Sequence, residues 1–278
     1  MATVDEIAAR YLLWCEDHRE QTTTRFYRCR LKPLISAFGP REFDELTQID
    51  LEEHFTVSGK GLSGSTRRSN IVAFLRLQSW ALERKLIAAA VAEKLEKPRA
   101  GRRDRIPTRE ETIAIRRSGS MAFRAIYQAL RRSGARPCEL CTAQISDLKE
   151  DRTVIELEKH KTAHSTGKPR RIQVGKKLRR IIERAIGERT EGPIFLSPRG
   201  RPWTVGNLSS TFRHLRNKAG LSKDLVLYMT RHEFGTKATE QFGIHAASKF
   251  LGHTQITTTQ RYAHENEERL RGLQDDVL

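Results

Sequence analysis

Long apolar runs are missing from this sequence of 278 residues. A membrane-spanning helix needs about 20 consecutive apolar residues, and no stretch of the chain approaches that length. The opening segment, MATVDEIAAR, also has no apolar core like that of a secretory signal peptide. We therefore expect a cytoplasmic protein with no membrane partner.

Cysteine is scarce, and the chain contains only Cys15, Cys29, Cys138 and Cys141. Such irregular spacing does not make a disulfide framework, which agrees with a reducing compartment. Cys138 and Cys141 have the spacing of half a zinc site, but no second pair or histidines follow at finger-like separation. We favour a buried, inert pair one turn apart on a helix, and we expect no metal site.

Signatures of three other protein classes are also missing. The sequence has no GxxxxGK[ST] phosphate loop and no cluster of acidic residues placed to hold two magnesium ions. It also lacks the aromatic strands on which RNP-type modules stack RNA bases. These absences disfavour a P-loop ATPase, a two-metal nuclease and an RNA-binding module.

Positive charge is what the sequence has in excess. Lysine and arginine number 51 against 34 aspartate and glutamate residues, which gives a formal net charge of +17. Such an excess predicts a polyanionic partner such as nucleic acid. The alternative is a charge that serves solubility alone, which we disfavour because so large an excess of one sign promotes nonspecific association.

The first 93 residues have the pattern of a small all-helical unit. Apolar residues recur at helical spacing over 4–15 and 27–38, and two further helices are predicted to begin near Thr47 and to run through 71–86. Pro33 is expected to kink or divide the second helix. Residues 94–107, KLEKPRAGRRDRIP, then interrupt every pattern and predict a linker, either a solvated connector or a strap across DNA phosphates.

Residues 108–278 predict a second unit that is mostly helical with a small β-sheet. Helical segments near 109–132 and 138–149 precede two strands, 153–157 and 170–174, which a long basic loop joins into a hairpin. The remaining predicted helices cover about 204–220, 231–242, 245–251 and 264–275. The expected fold class is therefore mainly α with a small β-sheet, in two domains.

Three segments of the second unit concentrate unusual residues: ARPCEL at 135–140, YMTRHEFGT at 228–236 and LGHTQITTTQRYAH at 251–264. Each residue alone has an ordinary explanation as a surface charge or a packed polar side chain. Their occurrence together, in this order, resembles the catalytic domain of the tyrosine recombinases, the phage integrase family, from about Ile106 to His264. The N-terminal unit similarly resembles the helical, SAM-like core-binding domain of that family.

The resemblance implies both an activity and a partner. Family members are site-specific recombinases that cleave and rejoin strands of double-stranded DNA through a 3′-phosphotyrosyl intermediate, with no metal, ATP or other cofactor. The implied assembly is a homotetramer on DNA formed from free monomers, and the implied location is the nucleoid. Apolar residues within 266–278 are expected to pack onto a neighbouring protomer.

The family pattern assigns catalytic roles to four residues of the motif segments. Tyr262 matches the nucleophile and follows His253, of the Leu-Gly-His segment, by nine residues. Arg136, in its A-R-x-x-E-L setting, and Arg231 match the guanidinium pair that binds the scissile phosphate. Permanently protonated guanidinium groups suit this role because they present parallel N–H donors to negatively charged oxygens.

The general acid of the family is a lysine on the β-hairpin. Lys161 is the best-aligned candidate, with Lys159 and Lys168 as competitors in the same loop. The alternative for the lysines of this loop is that they only contact phosphates.

Tyr228 departs from the family pattern, because the position three residues before Arg231 is usually histidine. A phenol can donate a hydrogen bond to a phosphate oxygen, but with a pKa of about 10 it is a poor general base at neutral pH. Three outcomes stay open for the base: it is dispensable, it is shared with His253, or the enzyme is slow. The ordinary alternative is that Tyr228 belongs to the core.

Basic residues of the first unit and the linker are expected to contact DNA phosphates without reading sequence. The candidates are Arg25, Arg28, Arg67, Arg68, Arg102 and Arg103. The alternative for these arginines is a solvated helix face.

Two rival functions use the same fold or chemistry. A non-catalytic DNA-binding protein on a recombinase scaffold would be favoured by loss of Tyr262 or of an arginine, and neither is lost. A type IB topoisomerase shares the chemistry, but the two-domain length and the Leu-Gly-His segment fit a recombinase better.

Overall fold

The computed structural model describes residues 2–99, 101, 105–160, 163 and 167–262. The chain divides into two compact units, Met1–Arg103 and Asp104–Leu278, and each has a hydrophobic core of its own. The expected architecture, mainly helical with one small sheet, is confirmed. The boundaries expected from the sequence, 1–93, 94–107 and 108–278, stay a prediction.

Four α-helices form the described part of the N-terminal unit. They are α1 (Val4–His18), α2 (Gln21–Phe38), α3 (Gln48–Val57) and α4 (Gly64–Glu83). Thr3 and Thr47 cap α1 and α3 through their side-chain oxygens, which satisfy backbone N–H groups that have no partner within the helix. α1 packs on α2 and α4, and α3 packs on α4.

Pro33 does not divide the second helix as expected, since α2 continues through it from Gln21 to Phe38. Leu31 and Leu34 flank the proline and are both buried in the core of the unit. Their burial favours a continuous helix strongly enough to offset the backbone hydrogen bond that proline removes.

The chain packs back onto the N-terminal unit after α4. The buried amide of Gln78 accepts hydrogen bonds from the backbone N–H groups of Val91 and Ala92 and donates one to the carbonyl of Ala92. Leu95, inside the predicted linker, belongs to the same core. The first residues of the predicted linker are therefore packed against this unit.

The C-terminal unit contains helices, one sheet and short 3-10 turns. Its elements are α5 (Arg109–Ser118), α6 (Met121–Ser133), α7 (Pro137–Thr142), β1 (Leu148–Lys149), β2 (Val154–Leu157), β3 (Arg170–Gln173), α8 (Lys176–Ile186), α9 (Val205–Lys218) and α10 (Met229–Leu251). Two 3-10 turns, Ile256–Thr258 and Gln260–Tyr262, follow α10. α6 lies at the centre of the unit, in contact with α7, α8 and α10.

The predicted helix over 138–149 is wrong beyond Thr142. A 3-10 turn, Ile145–Asp147, and β1 follow instead, because the backbone groups of this stretch find partners outside a helix. The N–H of Ile145 donates to the carbonyl of Gly192, and β1 pairs with β2. The hairpin of β2 and β3 thus becomes a three-stranded antiparallel sheet in the order β1-β2-β3.

Helix α8 was not predicted, although Leu178, Ile182 and Ile186 recur at helical spacing and are buried. The predicted division between the segments 231–242 and 245–251 is confirmed, because a non-helical backbone at Gly243 divides α10 into two helical parts. The predicted helix over 264–275 lies outside the described residues.

Across the described residues, no helix is long and apolar enough to cross a membrane.

Substitution of Phe123 tests the central position of α6. Phe123 is fully buried and stacks on Tyr127, so Phe123→Ala should lower the free energy of unfolding of the C-terminal unit by about 3–5 kcal/mol. Met121, on the same helix, is 78% exposed, and Met121→Ala should change the free energy of unfolding by less than about 0.5 kcal/mol. Urea denaturation measures both, and equal effects of the two variants would contradict this packing.

Candidate active site

Arg231, in the first turn of α10, is the largest fully buried side chain of the chain's described part. Its Nη1 donates to the carbonyl of Gly134 at 2.7 Å, and its Nη2 donates to the carbonyl of Leu251 at 2.7 Å and to Nε2 of His253 at 3.0 Å. All three acceptors are uncharged. The Nε–H is also buried and has no hydrogen-bond partner within the described residues.

The charge of Arg231 is therefore held without a carboxylate bonded to it. Burial lowers the pKa of Arg231, and repulsion from Arg136 lowers it further. A buried cation is costly unless an anion compensates it. The arrangement favours a bound anion beside Arg231.

Arg136 brings a second guanidinium to the same place from the start of α7. Its backbone N–H donates to Glu139 Oε2 at 2.8 Å, and its side-chain Nη1 donates to Oε1 of the same carboxylate at 2.7 Å. Pro137 occupies the first turn of α7, where the missing N–H of a proline does no harm. Glu139 thus fixes both the helix start and the orientation of Arg136.

His253 follows α10 and is held at both ring nitrogens. Nδ1 lies 2.8 Å from Oγ1 of the buried Thr259, and Nε2 lies 3.0 Å from Nη2 of Arg231. Arginine can only donate, so Nε2 accepts and the proton of the neutral ring must be on Nδ1. His253 is therefore a neutral imidazole that supports the guanidinium of Arg231.

Tyr262 reaches the site at the end of the second 3-10 turn and is 3% exposed. Its ring lies parallel to the imidazole of His253, with centroids 6.2 Å apart, and its centroid lies 5.6 Å from that of His232. The ring also rests on the backbone of α10 at Gly235, where an added Cβ would stand 3.0 Å from three ring carbons. Gly235 therefore makes room for the phenol ring.

Tyr228 stands at the N-terminal end of α10 and is 40% exposed, so the alternative of a core residue is wrong. Its ring makes an edge contact with His232, with centroids 5.3 Å apart. The imidazole of His232 lies in contact range of both Tyr228 and Tyr262. His232 directly follows Arg231, whereas the usual histidine of the family pattern precedes the arginine by three residues.

Arg170, on β3, is a third buried arginine near the pair. Its Nη2 donates to the carbonyl of Phe250 at 2.7 Å, and its Nε lies 3.8 Å from Glu139 Oε2. Burial lowers the pKa of Arg170 to about 10, and repulsion from Arg231 and Arg136 adds to this although Glu139 opposes it. The described site therefore gathers three guanidinium groups around one carboxylate.

A buried ion pair anchors α10 next to Arg231. The side chain of Glu233 accepts hydrogen bonds from both Arg131, on α6, and Lys237; the Nε of Arg131 lies 2.7 Å from Oε2. Burial would raise the pKa of Glu233, but these hydrogen bonds outweigh it and hold the pKa below its usual value. The pair fixes α10 against the end of α6, and hence Arg231 against Gly134.

The structure brings together Arg136, Arg231, His253 and Tyr262, with Tyr228 at the exposed edge. Lys161 lies outside the described residues. The competing Lys159 and Lys168 flank that part of the loop.

The arginines proposed to contact DNA differ in their exposure and in their partners. Arg25 and Arg68 are exposed, whereas Arg28 is exposed but pairs with Glu16. Arg67 is half-buried beside a cavity of about 470 Å³ within the N-terminal unit, and its Nε has no hydrogen-bond partner among the described residues. Arg102 and Arg103 lie outside the described residues.

The cysteine pair lies beside Arg136 on α7, with Cys138 half-buried and Cys141 buried. Burial raises the pKa of both thiols, that of Cys141 to about 12, so both stay protonated at neutral pH. In the part of the chain that the structure describes, no group of three histidine, cysteine or acidic residues is placed to hold a metal ion.

Four supporting residues of the site were missed from the sequence: Glu139, Arg170, Gly235 and Thr259. Glu139, Gly235 and Thr259 lie inside the motif segments, so position within a motif was the available signal. Arg170 lies on the strand predicted over 170–174, and the alternation that places it on the same face as Ile172 and Val174 was the available signal for its burial.

The comparisons with known proteins point to one family. Residues 109–269 match the model of the phage integrase family. The tyrosine recombinase XerD of Ralstonia nicotianae is 25% identical over 275 residues, which cover 94% of this chain and 89% of that protein. The tyrosine recombinase XerC of Leptospira interrogans is 24% identical over 293 residues, which cover 97% and 92%.

Solved structures share the fold. The crystal structure of a lambda integrase dimer bound to a COC′ core site superposes with a TM-score of 0.81 at 16% identity, covering 95% of this chain and 78% of that one. A lambda integrase tetramer bound to a Holliday junction gives the same TM-score, identity and coverage. The Tn1549 transposon integrase in complex with transposon right end DNA gives 0.72 at 20% identity, covering 99% of both chains.

Removal of the Glu233 carboxylate tests the anchor of α10. Glu233→Gln should lower the free energy of unfolding at neutral pH by about 1–3 kcal/mol, because it removes the charged acceptor of the partly buried Arg131. The folded pKa of Glu233 is depressed, so its stabilisation is present above a pH of about 4.3 and is lost as pH falls through the folded pKa. The difference between wild type and variant should therefore shrink in acid.

Chemical denaturation at a series of pH values measures this difference. Glu188 is exposed, and Glu188→Gln serves as the control that should leave stability unchanged. A difference for Glu233→Gln that does not depend on pH would contradict the ion pair.

Proposed function

This chain belongs to the phage integrase family, the tyrosine recombinases that cleave and rejoin DNA at specific sites, and we propose that Tyr262 is its nucleophile. In this proposal, Arg136 and Arg231 bind the scissile phosphate, and Lys161 protonates the leaving oxygen. Neither a metal ion nor ATP takes part.

One observation carries the proposal: the buried guanidinium of Arg231 has only uncharged hydrogen-bond partners and an unused Nε–H. A phosphodiester supplies the anion that this site lacks. Negative charge on the nonbridging oxygens grows as the pentacoordinate transition state forms, so fixed donors stabilise the transition state more than the ground state. Arg136, oriented by Glu139, contributes the second set of donors.

The covalent step conserves the energy of the broken bond. The phenolic oxygen of Tyr262 attacks the phosphorus, the bond from phosphorus to the 5′-oxygen breaks, and a 3′-phosphotyrosyl linkage forms. The phenol gives its proton to a base, and the 5′-oxygen takes a proton from Lys161 and leaves as a hydroxyl. Attack by a 5′-hydroxyl reverses these steps and releases Tyr262, so no external energy source is consumed.

His253 takes part in phosphate binding. Its Nδ1 is hydrogen-bonded to the hydroxyl of Thr259, which can either accept or donate. If that hydroxyl donates, the neutral ring carries its proton on Nε2 and can donate it to a nonbridging oxygen. We therefore assign to His253 a hydrogen bond to the phosphate in the complex with DNA, in place of the one it accepts from Arg231 in the free enzyme.

The N-terminal unit is proposed to bind DNA as the core-binding domain. The exposed Arg25, Arg28 and Arg68, with the basic segment that includes Arg102 and Arg103, would supply sequence-independent phosphate contacts, and Arg67 would add to them if its side chain leaves the cavity. The assembly proposed on DNA is a homotetramer of chains that are monomers when free, as supported by the lambda integrase tetramer on a Holliday junction. The proposed location is the nucleoid of the cytoplasm.

A covalent trapping experiment tests the assignment of Tyr262. The purified protein is incubated in EDTA with nicked DNA carrying candidate sites, and denaturing gels then detect any protein–DNA adduct. Wild type should form the adduct and Tyr262→Phe should not, although both should bind the DNA equally. Tyr27→Phe, which removes a phenolic hydroxyl from the N-terminal unit, should still form it.

Tightly bound DNA that yields no adduct with wild type would contradict the proposal. That outcome would favour the second candidate, a DNA-binding protein on a catalytically inactive recombinase scaffold.

Replacement of Tyr228 by histidine tests the departure from the family pattern. Tyr228→His introduces an imidazole with a pKa of about 6.5 at an exposed position beside His232, where the phenol is a poor base. The rate of adduct formation should rise about 10-fold or more, since positioned acid or base groups contribute at least that much. Single-turnover kinetics measure the rate, and Tyr228→Phe controls for loss of the hydroxyl.

An unchanged rate in Tyr228→His would show that an imidazole at this position does not limit cleavage, and it would leave the base role with His253 or with no residue.

A further inference from the structure

Arg170 occupies a position where an apolar residue is expected. Strand β3 alternates buried and exposed side chains, and Arg170 points to the same face as the core residue Ile172. It is 6% exposed, whereas its neighbour Arg171 is exposed and pairs with Glu150 and Glu156. The two adjacent arginines therefore have opposite environments.

The guanidinium of Arg170 makes two hydrogen bonds and lies close to one carboxylate of the C-terminal unit. Nη1 donates to the carbonyl of Arg171 at 2.9 Å, Nη2 donates to the carbonyl of Phe250 at 2.7 Å, and Nε faces Glu139 at 3.8 Å. Glu139 is the carboxylate that orients Arg136. Phe250 belongs to the last turn of α10, directly before the segment that carries His253.

Gly252 shows how closely the guanidinium approaches that segment. A Cβ at this glycine would stand 2.6 Å from Nη1 and 2.7 Å from Cζ of Arg170, far inside van der Waals contact. Gly252 also has a φ of 62°, which allows the chain to leave α10 toward His253. The backbone before His253 is thus in direct contact with the plane of the Arg170 guanidinium.

Stability alone does not account for a cation at this position. Its charge is buried, and the neighbouring guanidinium groups of Arg231 and Arg136 repel it. A well-packed apolar residue at such a site is often neutral or favourable for stability. A role in the geometry of the reaction explains the arginine better.

We propose that Arg170 is a positioning residue that sets the distance between the two halves of the phosphate site, Arg136 with Glu139 on one side and the segment 250–253 with His253 on the other. This inference rests on the proposed function, because it concerns the same phosphate. Arg170 need not touch the DNA. It acts through Glu139 and through the backbone that carries His253.

Arg170→Lys is the first test, with Arg171→Lys as the matched control on the same strand. Lysine keeps the charge but cannot hold two carbonyls and face a carboxylate at once. At saturating nicked DNA, Arg170→Lys should slow single-turnover adduct formation about 100-fold, the size of effect expected for a misplacement of about 1 Å. The DNA affinity of Arg170→Lys should stay within about 3-fold of wild type. Arg171→Lys should match wild type in both the rate of adduct formation and the DNA affinity.

A double-mutant cycle with Glu139→Gln separates positioning from general loss of structure. If Arg170 acts through Glu139, the rate lost in the double variant should be clearly smaller than the product of the two single losses. The rates are measured far below the melting temperature of every variant. Additive effects on the rate would overturn the proposed coupling.

Gly252→Ala tests the positioning role of Arg170 if Arg170→Lys does not fold. The added Cβ would displace the guanidinium of Arg170 from the segment before His253. Gly220 has a similar φ of 65° with open space around it, so Gly220→Ala carries the same backbone strain without the contact. Gly252→Ala should slow adduct formation and Gly220→Ala should not, and equal rates would overturn the inference.

The two proposals fail in different ways. If wild type forms no adduct on tightly bound DNA, the assignment of Tyr262 fails. If wild type forms the adduct and folded Arg170→Lys forms it at the same rate, only the positioning role of Arg170 fails.

Discussion

The C-terminal unit depends on one constraint, which is that the charge of Arg231 is buried and must be held without a bonded carboxylate. Two backbone carbonyls, from Gly134 and Leu251, and the imidazole of His253 meet this requirement. Each acceptor comes from a different segment: the end of α6, the end of α10 and the turn that follows. Their convergence on one side chain explains why the motif segments must pack together before any chemistry is possible.

Local patterns predicted most of the fold because they depend on neighbours in sequence. Apolar spacing and the caps at Thr3 and Thr47 are properties of short segments, and the helices of the N-terminal unit followed from them. Strand β1 could not be predicted in this way, because it exists through its pairing with β2. Pro33 was overestimated as a break, since the burial of its neighbours depends on tertiary packing.

The residues proposed to react could be predicted from the sequence, whereas most of the contacts that support them could not. Arg136, His253 and Tyr262 belong to motifs whose spacing is visible in the sequence, and the structure brings them together. Arg170 is supported by a carbonyl 80 positions away, at Phe250, and only the fold reveals that contact. The covalent intermediate expected from the motifs is a property of the reaction, so it stays a prediction.

Arg136 is the residue directly before helix α7, and its contacts with Glu139 concern both the helix and the site. The carboxylate of Glu139 accepts from both the backbone N–H and the side chain of Arg136, so the helix start and the orientation of the guanidinium share one interaction. A substitution at position 136 or 139 would therefore disturb the helix start and the proposed phosphate site together, and stabilising redesign of this helix must begin after its first turn.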